Sequence, residues 1–377
     1  MIRSKKTLRG FAALAGVAAL TLTAACGSSD DDGDKKGDSS ASELCGKNLA
    51  FLGALTGDAG ALGQNMVNGI NLALKEYNDK HADCQINVKT FDSQGSPDKA
   101  PALATQIVND DSIFGLVGPG FSGESLATGK TFFEAGLPSI SPSATNVTIT
   151  QQGWTTWHRV IGNDDAQGAA DAKYLTTTAG AKKVFVIDDG QDYSKGLAGK
   201  VKSDLGAASA GSDQISVGQV DMSAVVTKVK ASGADAVFYG GYYTEAGLLA
   251  KQLRQGGFKG TFMSGDGAED PGFVKAAGKA AAEGAILSAP AAPAPSDFTA
   301  TGLYATQAYD ATNIFLAALE DGKDNPEDIN SFIGSYTGTG VSGPIAFDDK
   351  GDITESTIYA YFVKNGELDT ANPEPIK

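Results

Sequence analysis

"NLAFLGALTGDAGALGQNMVNGINLALKEYNDK", residues 48–80, holds two periods in one stretch. Its first eight residues, "NLAFLGAL", are a near-continuous apolar run that closes at Thr56 and Gly57. Further on, Met66, Val67, Ile70, Ala73, Leu74 and Tyr77 recur at the spacing of one helix face. An apolar run followed by an amphipathic helix reads as a strand covered on both sides in a parallel sheet. The alternation continues outward. "INVKTFD" (86–92) is followed by a helix opened at Ser96-Pro97, serine as cap and proline in the first turn. "IFGLVG" (113–118) runs into Pro119-Gly120 and a helix over 123–134, and "LPSISP" is a short strand stopped by Pro142.

The rhythm restarts with "KKVFVIDD" (182–189), "QISVGQV" (214–220), "ADAVFYGG" (234–241) and "TFMSGD" (261–266), each followed by a segment of helical period. Two such series predict an α/β protein of two doubly wound, parallel-sheet lobes joined by hinge crossovers. After "GAILSA" (284–289), the Pro/Ala stretch "PAAPAPSDF" (290–298) reads as a crossing loop. Helices over 299–320 and 326–336 come next. "GPIAFDDKGD" (343–352) reads as a turn and "STIYAYFVKNGEL" (356–368) as an edge strand. The expected division is 47–163 with 291–342 in one lobe, and 164–290 with 343–377 in the other.

The beginning of the chain has a different character. Arg3, Lys5, Lys6 and Arg9 precede an almost wholly apolar run from Phe11 to Ala25. That run is short for a membrane span, which needs ~20 residues, and describes an export signal over 1–25. Leu22-Thr23-Ala24-Ala25-Cys26 resembles the lipobox of bacterial lipoproteins. The resemblance implies lipidation of Cys26 and an anchor on the extracytoplasmic face of the cell membrane. From Cys26 to residue 46 the Gly, Ser, Asp and Lys content reads as a flexible acidic tether.

The net charge of −15 becomes −19 once the first 25 residues, with four basic and no acidic side chains, are removed. Such a balance excludes nucleic acid as a partner and opposes broad docking on an anionic membrane. Cys45 and Cys84 each stand just ahead of a strand-like run, so neighbouring parallel strands would bring them together as a disulfide. His81 and His158 are the two histidines of the chain. That leaves little material for a zinc site or a histidine-based triad, and neither metal, cofactor nor catalytic residue is expected. "ESLATGKT" (124–131) has Glu124 where a P-loop requires glycine, and "GFSGE" (120–124) lacks the last glycine of a nucleophile elbow.

In doubly wound sheets ligands bind beyond the carboxyl ends of the strands. Here those ends read "PGFSGES" (119–125), "PSATN" (142–146), "GQDYSKG" (190–196), "YYTEAG" (242–247) and "DGAED" (266–270). Helix N-termini with hydroxyls suit a carboxylate, an isolated aspartate suits an ammonium, and together they suit an amino acid. Each piece also has a plain structural use: Ser122 as a helix cap, "SPSATN" as a turn, Asp266 as a cap, Tyr193 and Tyr242 as packing aromatics.

From Asn48 to Gly366 the chain resembles the solute-binding proteins of branched-chain amino-acid ABC transporters, of the type I periplasmic-binding fold. The residues that carry this are "GALTGDAGALGQNMVNGINLAL", "LPSISPSATN", "DDGQDYSKGLA", "DAVFYGGYYTEAG" and "GPIAFDDKGD", in that order. The resemblance implies Ser122 at the ligand's carboxylate, with Ser143, Ala144 and Thr145 clasping carboxylate and ammonium. It implies Asp266, where the family commonly has glutamate, at the ammonium. Tyr193, Tyr242 and Tyr304 match ligand-facing positions. Leu62 replaces an aromatic found in well-known members, which reshapes the apolar wall. The reading is a monomeric, lipid-anchored receptor that delivers an amino acid to permease subunits. The rivals are a ligand sensor of the same fold and an exported lipoprotein hydrolase that would draw on carboxylates such as Asp188-Asp189.

Overall fold

The apolar runs of the sequence become the buried strands of two sheets. A computed structural model describes residues 43–377; the export signal, Cys26 and the tether up to residue 42 lie outside the described residues. The first series comprises β1 (Asn48–Gly53), α1 (Gly60–Lys80), β2 (Asn87–Asp92), α2 (Ala100–Val108), β3 (Ile113–Val117), α3 (Ser122–Glu134), β4 (Ser139–Ser141) and β5 (Trp157–Arg159). Its five strands are parallel, in the order β2-β1-β3-β4-β5.

The second series runs α4 (Asp164–Lys173), β6 (Val184–Asp188), α5 (Asp192–Leu205), β7 (Ser209–Gln214), α6 (Ser223–Ser232), β8 (Ala236–Gly240), α7 (Tyr243–Gln255), β9 (Thr261–Ser264), α8 (Pro271–Ala277), α9 (Lys279–Ala282) and β10 (Ile286–Ala289). The chain then returns through α10 (Ala305–Glu320), α11 (Pro326–Ser335), the hairpin β11 (Thr337–Gly340) and β12 (Gly343–Ala346), and the pair β13 (Tyr359–Lys364) and β14 (Glu367–Pro375). The second sheet is ordered β14-β13-β10-β9-β8-β6-β7. Its parallel part, β7-β6-β8-β9-β10, repeats the order of the first sheet. Each sheet therefore reverses direction between its first and third strands, the place where loops diverge and a crevice opens.

Burial follows position in the order. Central strands β1, β3, β8 and β10 are almost wholly buried, while the edge strands β2 and β7 are largely exposed or half-buried. This explains one correction. The strand expected at 214–220 lies at Ser209–Gln214, a polar segment held to β6 by backbone pairing. Of the apolar residues beyond it, Ile215 is buried and Val217 and Val220 are exposed.

Other boundaries also move. The helix expected from Ser96-Pro97 starts at Ala100, with Ser96 O accepting from Lys99 N and Ala100 N in the turn before it. The long helix starts at Ala305 rather than 299. β5 has three residues, too few to show a period. β13 is an interior strand, antiparallel to both β10 and β14, so the sheet edge is β14 rather than the segment read as the edge.

The division drawn at residue 343 falls inside the β11-β12 hairpin. Beyond it, Phe347 packs edge-on to His158, Gly351 O accepts from Arg159 N, and Arg159 pairs with Asp352. The chain thus stays against β5 until Asp352 and joins the second sheet at β13.

The end of the tether is also corrected. Cys45 and Cys84 form a disulfide with Cα atoms 4.5 Å apart, and Leu44 is buried, so both belong to the folded body. β1 and β2 pair in register from Asn48↔Asn87. Each cysteine stands the same three residues ahead of that pair.

Candidate functional site

The loops at the two switch points meet. After β3, Gly120 N donates to Leu52 O at 2.8 Å, which pulls the 118–121 turn back onto β1. Gly118 has φ of 134°, a conformation that favours glycine. The turn delivers Phe121 and Ser122 to the start of α3, whose first backbone N–H groups have no partner within the helix. Ser122 Oγ accepts from Asn146 N at 3.2 Å.

The loop after β4 is fastened from below. Ser141 Oγ donates to Pro119 O at 2.7 Å and accepts from Ala144 N at 3.0 Å. Arg159, fully buried, donates through Nη1 to Ala144 O at 2.8 Å and Asn146 O at 3.1 Å. Ser143 Oγ donates to Gly120 O at 2.7 Å, which ties the two loops together. Thr145 is buried beside Asp164, and no hydrogen bond of ordinary geometry reaches its Oγ1.

From the second sheet come Tyr193, at the start of α5, and Tyr242, just before α7. Their ring centroids are 5.3 Å apart, and Tyr242 lies 5.5 Å from Phe121. Tyr304 arrives on the crossing segment with φ of 69°, immediately before α10. Its place depends on α1. A Cβ on Gly69 would come within 2.0 Å of Ala305 O, so only glycine admits the start of α10 there.

Leu62, Gly120, Phe121, Ser122, Ser143, Tyr193, Tyr242 and Tyr304 line one small cavity. Six of the expected residues are thus brought to one place. Gly120 and Phe121 join them unforeseen, although they sit in the quoted "PGFSGES". Ala144 and Thr145 are buried in the adjoining loop without lining the cavity.

Asp266 differs from expectation. It is fully buried behind the tyrosines rather than lining the cavity itself. Tyr193 Oη donates to its Oδ1 at 2.7 Å and Tyr304 Oη to its Oδ2 at 2.5 Å. Tyr193 Oη in turn accepts from Gly267 N at 2.9 Å. The carboxylate therefore sets both rings.

The electrostatics of the site are one-sided. Burial raises the Asp266 pKa, against the lowering effect of the bonds from Tyr304, Tyr193 and Gln167. Burial also pushes Asp164 and Glu124 up to about 8 each. Tyr242 feels Asp189, Glu124, Asp266 and Asp164 together. No lysine or arginine lines the cavity among the described residues. Carboxyl groups behind the lining and no cation within it favour a small ligand bearing a positive group, with hydroxyls and a helix N-terminus available for a negative one.

The family profile described as periplasmic binding protein matches residues 48–367. A leucine-specific-binding protein of Salmonella typhimurium is 30% identical over 325 residues, covering 81% of this chain and 87% of the relative. A solved leucine-binding protein from Thermotoga maritima superposes with a TM-score of 0.79 at 27% identity, over 87% of this chain and 98% of its own. A branched-chain amino-acid transporter substrate-binding protein from Streptococcus pneumoniae, solved with isoleucine, also gives 0.79, at 25% identity over 88% and 99%. Among the described residues no helix is long and apolar enough to cross a membrane.

Proposed function

Because the chain belongs to the periplasmic binding protein family, we propose that it is the solute-binding component of an ABC importer and captures a branched-chain or similar amino acid. Membership carries an extracytoplasmic setting. The observation that carries the ligand class is the cavity formed by loops from both sheets, with Asp266 behind its tyrosines and, among the described residues, no lysine or arginine in its lining.

In this reading Ser122 Oγ and the N-terminal N–H groups of α3 hold the carboxylate. Ser143, Ala144 and Thr145 supply the clasp around carboxylate and ammonium. The ammonium takes its counter-charge from Asp266 through the Tyr193 and Tyr304 hydroxyls. Leu62, Phe121 and Tyr242 meet the aliphatic side chain. The work is binding rather than catalysis. The two sheets with their helices act as lobes, and a ligand that touches both favours the closed arrangement by its differential affinity. The protein then presents its cargo, as a monomer, to the permease.

Thermal melting in the presence of leucine, isoleucine and valine tests the ligand class. At a hundred times its dissociation constant a ligand stabilises by ~2.7 kcal/mol, which for a protein of this size raises the midpoint by roughly 4 °C. If neither these nor other amino acids move the midpoint, the proposal fails.

Anchoring through Cys26 is part of the same proposal and is supported by the lipobox-like residues 22–26. Cys26→Ala is expected to release the exported protein from the membrane fraction into the soluble one. Retention of the variant on the membrane, with no acyl group on the wild type, would remove the anchor from the reading.

A further inference from the structure

Tyr304 is a wall between two spaces. On one side is the small cavity between the sheets; on the other is a larger, open-mouthed cavity beside the β10–α10 crossing. Glu269 lines the second space and is 6% exposed. Among the described residues its carboxyl group has no hydrogen-bond or ion-pair partner, so its oxygens are left to the cavity it lines. Asp270 lies beside it with Oδ1 engaged by Gly272 N at 2.6 Å. Phe298, Tyr304 and Tyr361 add three aromatic rings to the lining, and no lysine or arginine is present in it among the described residues. Burial, then the charges of Asp270 and Asp266, raise the Glu269 pKa well above that of an ordinary glutamate, as befits an acid without a counter-ion.

A buried unpaired carboxylate beside aromatic faces is suited to an alkylammonium ion, which offers both a charge and an apolar body. We propose that this cavity is a second binding site, distinct from the amino-acid cleft, that takes a small organic ammonium ion with Glu269 as its anchor. The site stands whether or not the cleft binds amino acids, because it rests on Glu269 and its own cavity.

Calorimetric titration of the full chain with propylammonium chloride tests this. The expected result is one-to-one binding in the wild type, weakened roughly tenfold or more in Glu269→Gln, which keeps the shape and removes the charge. Ala294→Trp, on the exposed rim of the same cavity, is a second variant expected to weaken binding by obstruction. Glu269→Gln is expected to melt no lower than the wild type, since it removes an unpaired buried acid. Absence of binding to the wild type at millimolar probe overturns the proposal. So does equal affinity in wild type and Glu269→Gln, which would put the amine elsewhere.

Discussion

Asp266→Asn is expected to weaken amino-acid binding by roughly 100-fold or more while leaving the unliganded protein at least as stable as the wild type. Removing one member of a buried charge pair typically costs ~3–5 kcal/mol, because the remaining charge keeps its desolvation penalty. Here the remaining charge would be the ligand's ammonium. Asparagine retains a carbonyl oxygen for one tyrosine hydroxyl, but its amide nitrogen cannot accept the second bond now made at 2.5–2.7 Å.

Stability should move the other way. The folded-state pKa of Asp266 is raised by burial. Its stabilising contribution is therefore complete below the unfolded value of about 3.9 and is lost as pH rises through the raised folded value. At neutral pH the wild type carries that cost and the asparagine variant does not. Asp266→Ala removes both acceptors and leaves the Tyr193 and Tyr304 O–H donors without a partner, at ~1–3 kcal/mol each, so it should lose stability as well as affinity. Calorimetry with leucine and melts from acid to neutral pH check all of this. Affinity within roughly threefold of wild type for both variants would show that Asp266 does not serve the ammonium.

The paired replacement Cys45→Ala with Cys84→Ala is expected to cost ~4 kcal/mol, the chain-entropy value for a loop of this length. The bridge closes 39 residues that include β1 and α1. Without it, Gly46 N to Gln85 O at 2.9 Å and the β1–β2 ladder still hold the segment, so the fold should persist with a lower denaturation midpoint. Because α1 carries Leu62 and receives the start of α10 at Gly69, the loss should also loosen Tyr304. Urea unfolding of the oxidised wild type and the double variant measures the difference. A change of less than ~1 kcal/mol would mean that the unfolded chain gains little freedom when the bridge is absent.

Much of this architecture is written locally. "NLAFLGAL", "IFGLVG" and "ADAVFYGG" read as strands buried on both faces because their side chains are almost all apolar, and they occupy the sheet centres. The edge strand β7 lies outside the apolar pattern because an exposed strand owes its pairing to backbone groups, which leave no such pattern. β5 has only three residues, too few to carry a period in the sequence. The cysteine pairing was legible because both residues precede recognisable strands by the same interval.

The loops after those strands could be listed from the sequence, and six of the expected residues do enclose one cavity. Their division of labour could not be read there. Asp266 lies behind the tyrosines because Tyr193 and Tyr304, 73 and 38 residues away in the chain, bring their hydroxyls to its two oxygens. Glu269 faces a separate space because the β10–α10 crossing bends past it. Hydrophobic period is a property of neighbouring residues and survives in the linear order. Which hydroxyl meets which carboxylate depends on the approach of elements far apart in that order, and only the packed chain decides it.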